Sequence, residues 1–203
     1  YTLKAIKNVA ENNGYKLFGM APSASAALTL QNEAGIESQT IHRFLFKYDG
    51  LINDRGTKQG LDLMKKEMRN TLLVLDESSL ASTNQIHSLL KVVNKLDLRL
   101  LMVGDIKQLE AIEAGKPFYQ LQKAGMRTIV MEDILRQKDM QLKAAVEGII
   151  KGEVLKAFWN IKNIIEAEKP TKIVEKVVNE FMSLDKSARD KTLILAPANE
   201  TRE

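Results

Sequence analysis

The chain has 203 residues, of which 44% are hydrophobic and 28% charged, so it can bury a sizeable core and keep a solvated surface. It has no cysteine and only two histidines, His42 and His87, which excludes disulfides, thiolate metal sites and a zinc site built from histidines alone. The formal net charge of +4 permits a nucleic-acid partner without establishing one. No apolar run approaches the roughly 18 residues of a membrane span, and we expect a cytoplasmic protein with no membrane partner.

Helical and strand patterns alternate along the chain, an order that places parallel strands in one sheet with helices on its faces. Apolar residues at helical spacing predict helices near 1–13, 23–34, 61–68, 83–94, 117–123, 140–150 and 173–184. Short apolar runs predict strands at 16–21, 71–76, 98–103, 127–131 and 191–196. The sequence therefore predicts an α/β fold with a mainly parallel sheet, in which ligands bind at the carboxyl ends of the strands.

The strongest single motif is LLVLDESS, at residues 72–79. Its apolar run predicts a buried strand that delivers Asp76 and Glu77 to the carboxyl edge of the sheet. Phosphoryl-transfer enzymes need a carboxylate there to hold Mg²⁺ and a second group to orient the attacking water. We assign the metal to Asp76 and the water to Glu77. The alternative is that both acidic residues only favour the turn and cap the helix that follows.

Two further polar residues follow the next predicted strands. Gln108 lies three residues after the turn at Gly104-Asp105, where an amide can sense a γ-phosphate by hydrogen bonding. Arg136, in ILRQ, follows the strand at 127–131, and an arginine at a sheet edge can stabilise charge on a transferring phosphoryl group. Each residue alone also fits an ordinary surface position. The order and spacing of these motifs along the chain favour the catalytic interpretation.

Candidate DNA contacts lie earlier, in APSASAALTL and SQTIHRFL. Ser23 lies at a strand-to-helix junction, and the free N–H groups of a helix N-terminus bind phosphates well. Thr40, His42 and Arg43 can add contacts to a DNA backbone. The alternative is plain helix capping by Ser23 and Thr40, with His42 half-buried, although capping and DNA contact can coexist.

Together these motifs resemble those of the superfamily 1 helicases of the RecD-like branch, in particular the helicase domain of conjugative relaxase-helicases of the TraI type. APS resembles motif Ia, and SQTIHRFL resembles the DNA-contact motif after it. LLVLDESS resembles the Walker B motif, GDIKQLEAIEAGKPF motif III, and ILRQ the arginine motif. The resemblance runs from about Lys16 to the last residue. It implies a RecA-like P-loop NTPase motor domain that uses ATP and Mg²⁺.

The resemblance also implies how the chain is divided. Residues 1–190 correspond to the first motor domain, and LILAPANETRE resembles the first strand of the second motor domain, which is expected over 191–203. Asp49-Gly50 predicts a small hairpin insertion near 45–58, where related helicases carry a strand-separating pin. The glycine-rich Walker A loop is absent from the 203 residues, and in the family it lies immediately before the position of Tyr1. We therefore expect the chain alone to be inactive as an ATPase.

The implied function is ATP-driven translocation along single-stranded DNA during conjugative plasmid transfer. The implied nucleotide contacts are Asp76, Glu77, Gln108 and Arg136, and the implied partners are a second motor domain and an upstream relaxase domain of a longer parent chain. One alternative is a RecD-like repair helicase unconnected with conjugation. Another is a vestigial motor domain that binds single-stranded DNA without hydrolysing ATP, although a relic has no reason to keep those four residues.

Overall fold

The computed structural model describes residues 2–106, 115–131, 139–161 and 164–196. The chain forms two compact units, Tyr1–Met131 and Glu132–Glu203. The predicted site residues Gln108 and Arg136 lie outside the described residues.

The first unit is built on a four-stranded sheet in which every pair of neighbours is parallel. Its strands are β1 (Lys16–Ala21), β2 (Ser38–Thr40), β3 (Thr71–Leu75) and β4 (Arg99–Met102), in the order β2-β1-β3-β4. The central strand β3 is an almost unbroken run of buried residues, as expected for a parallel strand covered on both faces. The predicted parallel α/β sheet is confirmed.

Helices connect these strands and form most of the described part of the second unit. Those of the first unit are α1 (Thr2–Asn12), α2 (Ala24–Ala34), α3 (Ile41–Lys47), α4 (Asp49–Ile52), α5 (Lys58–Glu67), a 3₁₀ turn (Ser78–Leu80), α6 (Thr83–Leu96) and α7 (Pro117–Lys123). Those of the second unit are α8 (Met140–Ile150), α9 (Val154–Trp159), α10 (Pro170–Ser183) and α11 (Lys186–Arg189). Within the described ranges, no helix is long and apolar enough to cross a bilayer.

The core of the first unit packs α3 and α6 against the sheet. Phe44 lies at its centre, with ring centroids 5.8 Å from Phe18 and 4.8 Å from Tyr48. Burial raises the pKa of the Tyr48 hydroxyl, while the neighbouring Lys47 ammonium acts in the opposite direction. These aromatic contacts hold α3, the first part of the segment that connects β2 to β3, against the sheet.

Residues 45–58 do not form the predicted hairpin. Helix α3 continues to Lys47 and α4 begins at Asp49, so Tyr48 joins two helical segments. The side chains of Phe44, Tyr48 and Leu51 recur at helical spacing and are all buried. Burying this apolar face outweighs the turn preference of Asp49-Gly50, which lies inside the helical segment that follows.

Two predicted strands are not strands in the part of the chain that the structure describes. Residues 127–131 and 192–196 have no regular secondary structure, and the side chains of Ile129 and Leu195 are 85% and 82% exposed. A strand requires a neighbour for its backbone hydrogen bonds, and neither segment pairs with the described sheet. The compact units divide at residue 131, whereas the boundary between two motor domains near residue 190 stays a prediction.

Candidate functional site

The carboxyl ends of the four parallel strands meet at one edge of the sheet, and hydrogen bonds extend the ladder beyond the strands there. The Asp76 N–H donates to the carbonyl of Met20 (2.9 Å), and the Val103 N–H donates to the carbonyl of Leu75 (2.8 Å). These bonds fix the first residue after β3 and the first residue after β4. The chain segments that carry the predicted phosphate chemistry therefore leave the sheet side by side.

Asp76 and Glu77 form a tight turn directly after β3, and both are half-buried. The Glu77 N–H donates to Asp76 Oδ1 (3.0 Å), and Glu77 adopts a left-handed φ of 50°. The Ser78 hydroxyl donates to the carbonyl of Leu75 (2.8 Å), which fastens the turn to the end of the strand. A left-handed glutamate is uncommon and costs energy, so these bonds are needed to hold it. The turn keeps two adjacent carboxyl groups at the edge of the sheet.

Gly104 allows the end of β4 to pack directly on this turn. A Cβ atom at Gly104 would lie 3.0 Å from the backbone nitrogens of both Ser78 and Ser79 and 3.2 Å from Phe118 Cε1. The Ser78 N–H donates to the carbonyl of Val103 (2.8 Å) at the same place. The position of Glu77 thus depends on Gly104, a role that the sequence pattern did not reveal because glycine before aspartate indicates only a turn.

Gly104→Ala should lower the free energy of unfolding by about 1–3 kcal/mol, the usual cost of adding a methyl group to a packed contact. The clash is with backbone nitrogen atoms, which cannot rotate away. Urea unfolding followed by circular dichroism measures this difference. Gly50→Ala is the matched control, because a Cβ at Gly50 in α4 meets nothing within 4 Å and alanine favours a helix. Equal stability of the two variants would show that the turn tolerates a side chain at residue 104.

The candidate DNA residues lie at the same edge, after β1 and β2. The Ser23 hydroxyl accepts the Ala26 N–H (3.1 Å) and caps α2, while Thr40 Oγ1 accepts the Arg43 N–H (3.2 Å) and caps α3. Ala21 at the end of β1 pairs with Thr40 at the end of β2, so α2 and α3 begin next to each other, after neighbouring strands. The predicted capping is confirmed. His42 is exposed, so the alternative of a half-buried His42 is wrong, and Arg43 is exposed beside it.

The described residues contain no cluster of three or more metal-ligating side chains. Asp76 supplies one carboxylate at the sheet edge, and proteins commonly bind Mg²⁺ through one or two carboxylates together with the phosphates of a nucleotide. The residues present therefore fit a metal that arrives with its nucleotide better than a metal held by the protein alone.

Comparison with known proteins establishes the family. The AAA domain family matches residues 1–167, and this range is most of the chain. The chain belongs to this AAA domain family. Relatives of this AAA domain include the conjugal transfer protein TraA of Agrobacterium fabrum, 28% identical over 198 residues. That match covers 96% of the AAA domain chain but 17% of TraA, so the chain spans about a sixth of this relative.

Two other relatives agree with the motif resemblance. The ATP-dependent RecD2 DNA helicase of Deinococcus radiodurans is 32% identical over 172 residues, covering 82% of the chain and 22% of that helicase. The multifunctional conjugation protein TraI of Escherichia coli is 25% identical over 169 residues, covering 83% of the chain and 9% of TraI. These relatives confirm the predicted similarity to RecD-like helicases of the TraI type. A solved Pif1 helicase of Candida albicans aligns with a TM-score of 0.44 at 15% identity, over 91% of the chain and 55% of that structure.

Proposed function

We propose that this AAA domain is most of the first motor domain of an ATP-dependent DNA helicase that acts in conjugative transfer. The observation that carries the proposal is the shared sheet edge, where the Asp76-Glu77 turn lies beside the capped starts of α2 and α3. An enzyme that couples phosphoryl transfer to movement along a strand needs both kinds of site on one rigid sheet. The names of the TraA, TraI and RecD2 relatives support the same reading.

In this proposal each residue of the nucleotide site has a separate task. Bound ATP would supply the phosphoryl group, and its Mg²⁺ would neutralise the charge on the phosphates. Asp76 would hold that metal, and Glu77 would orient the attacking water and accept its proton. Gln108 would sense the γ-phosphate, and Arg136 would stabilise charge on the transferring group. The last two assignments rest on the sequence motifs.

The DNA contacts proposed at this edge are to the sugar-phosphate backbone. Ser23 and Thr40 accept backbone N–H groups as caps, so the Thr40 hydroxyl hydrogen stays available for a phosphate oxygen. The Ser23 hydroxyl also shares a hydrogen bond with the Ser25 hydroxyl (3.1 Å), which a phosphate oxygen would have to replace if Ser23 is the donor. His42 and Arg43 add exposed donors next to Thr40. Ala24 and Ser25 bring no charge to the start of α2, where related motifs carry a basic residue, so binding there should be weaker.

We expect the 203-residue chain to bind single-stranded oligonucleotides weakly, with an affinity that falls steeply between about 50 and 200 mM salt. Arg43→Ala should weaken binding uniformly across sequences and reduce the slope of log affinity against log salt by about one. Fluorescence anisotropy with a labelled oligonucleotide measures both effects.

Arg69→Ala is the matched control for Arg43→Ala, because Arg69 is also exposed but precedes β3, at the opposite edge of the sheet. It should leave the affinity and the salt slope nearly unchanged. Tighter binding to duplex than to single strands, or binding that ignores salt, would count against this assignment of the DNA-binding edge.

A RecD-like repair helicase is the second candidate, since the RecD2 relative has the higher identity to the chain, 32% against 28% for TraA. The two candidates differ in what accompanies the motor. A conjugative protein should carry a relaxase domain upstream, with clustered histidines and a nucleophilic tyrosine. Reading the gene upstream of the codon for Tyr1 decides between them.

A further inference from the structure

Helix α3 exposes an aromatic ring that its own packing does not use. Phe46 is 79% exposed, although the same helix buries Ile41 and Phe44 almost completely. Residues three and four apart share a helix face, so Phe46 lies beside Arg43 and His42, both of which are exposed. The outer face of α3 thus presents a phenyl ring one helical turn beyond an imidazole and a guanidinium group.

The charge around this ring is unbalanced. Two acidic side chains close to the end of α3 are engaged in ion pairs, Glu67 with Lys47 (3.5 Å) and Asp49 with Arg55. Arg43 forms no ion pair within the described ranges. The face therefore offers an apolar ring beside the guanidinium group of Arg43, which is free to meet an anion. A protein-docking patch is typically a contiguous apolar surface, whereas this ring is flanked by cationic and polar groups.

We propose that Phe46 is a base-stacking platform for single-stranded nucleic acid, with Arg43 and His42, one helical turn away, contacting the neighbouring phosphates. Single-strand-binding surfaces combine these two elements, an aromatic ring that stacks on a base and cations that follow the backbone. The proposal rests on the proposed function and adds a contact to the bases, which the capping residues Ser23 and Thr40 do not supply. It also gives a physical reason for preferring single strands, because the bases of a duplex are already stacked on one another.

The test is the affinity of the 203-residue chain for a labelled oligothymidylate at low salt. Phe46→Ala should weaken binding at least about fivefold, the low end for loss of one base-aromatic stack. Phe46→Trp should keep the original affinity. Phe46→Leu should weaken binding as much as Phe46→Ala does, because leucine is apolar but has no π-face. The salt slope should stay unchanged in all three, since no phosphate contact is removed. Leu63→Ala is the matched control, as Leu63 is 69% exposed on α5.

A second measurement detects the stack directly. Trp159 is the only tryptophan, so Phe46→Trp in a Trp159→Phe background places a single fluorophore on α3. Oligothymidylate should quench its emission, and Leu63→Trp in the same background should not be quenched.

The outcomes separate this inference from the function on which it rests. If the chain binds no single-stranded DNA at low salt, the DNA-binding edge and the platform both fail. If Arg43→Ala weakens binding but Phe46→Ala and Phe46→Leu do not, the edge stands and the platform is wrong. If Phe46→Ala alters only self-association in sedimentation velocity, the ring belongs to a protein interface and the platform is overturned.

Discussion

Glu77→Gln should lower ATP turnover by about 10²–10⁴-fold, the usual contribution of a general base, in a protein that carries this AAA domain together with its phosphate-binding loop and second motor domain. The side-chain amide of glutamine keeps the size of the carboxylate but cannot accept the proton of the attacking water. Nucleotide affinity should change little, because Glu77 does not need to touch the nucleotide before the water is oriented. Steady-state turnover at saturating single-stranded DNA, with a separate measurement of nucleotide binding, tests both statements.

Ser79→Ala is the control for Glu77→Gln in the same turn. The Ser79 hydroxyl is buried without a hydrogen-bond partner among the described residues, so its removal leaves no partner unsatisfied. Turnover should therefore stay within a few-fold of the unmodified protein. If Glu77→Gln retains more than about a tenth of the original turnover, Glu77 is not the base and the turn has a structural role only.

Phe44→Ala should lower the free energy of unfolding by about 3–5 kcal/mol, the range for removing a buried phenyl ring. Phe44 is 1% exposed and contacts the rings of Phe18 and Tyr48, so alanine leaves a cavity between α3 and the sheet. Urea unfolding followed by circular dichroism gives the difference. A loss below about 1 kcal/mol would mean that the core collapses around the missing ring.

Phe46→Ala is the matched control for Phe44→Ala, because it removes the same ring two residues along the same helix. Phe46 is exposed, and substitutions at such positions usually change stability by no more than about 0.5 kcal/mol. The pair therefore separates two uses of phenylalanine on α3. Loss of Phe44 should lower the stability of the protein without a specific effect on its affinity for DNA. Loss of Phe46 should weaken DNA binding and leave the stability nearly unchanged.

The strands that the sequence predicted correctly are those whose pattern needs no knowledge of their neighbours. The runs at 16–21, 71–76 and 98–103 match β1, β3 and β4 to within one residue, because nearly continuous apolar sequence is typical of parallel strands covered on both faces. The run at 127–131 is also apolar over its last three residues but has no strand beside it in the described sheet. Composition predicts that a segment can be a strand, and only the tertiary structure supplies its partner.

The candidate site was predictable to a similar extent. The positions of Asp76 and Glu77 after a buried strand, and the capping by Ser23 and Thr40, follow from local sequence. The left-handed backbone of Glu77 and its dependence on Gly104 do not, because they arise from a contact between segments far apart in the chain. Phe46 was missed for a related reason, since its exposure depends on which face of α3 packs on the sheet.

The contact between Gly104 and the turn after β3 limits how this domain can change. The Ser78 N–H and the Val103 carbonyl are joined by one hydrogen bond, and a Cβ atom added at Gly104 would lie only 3.0 Å from the backbone nitrogens of Ser78 and Ser79. A side chain at position 104 therefore requires the 77–79 segment to move by a few tenths of an ångström, and a second change that moves this segment should recover part of the lost stability. Stable variants engineered in this region should accordingly come in pairs, one substitution at position 104 and one in the 77–79 segment that accommodates it.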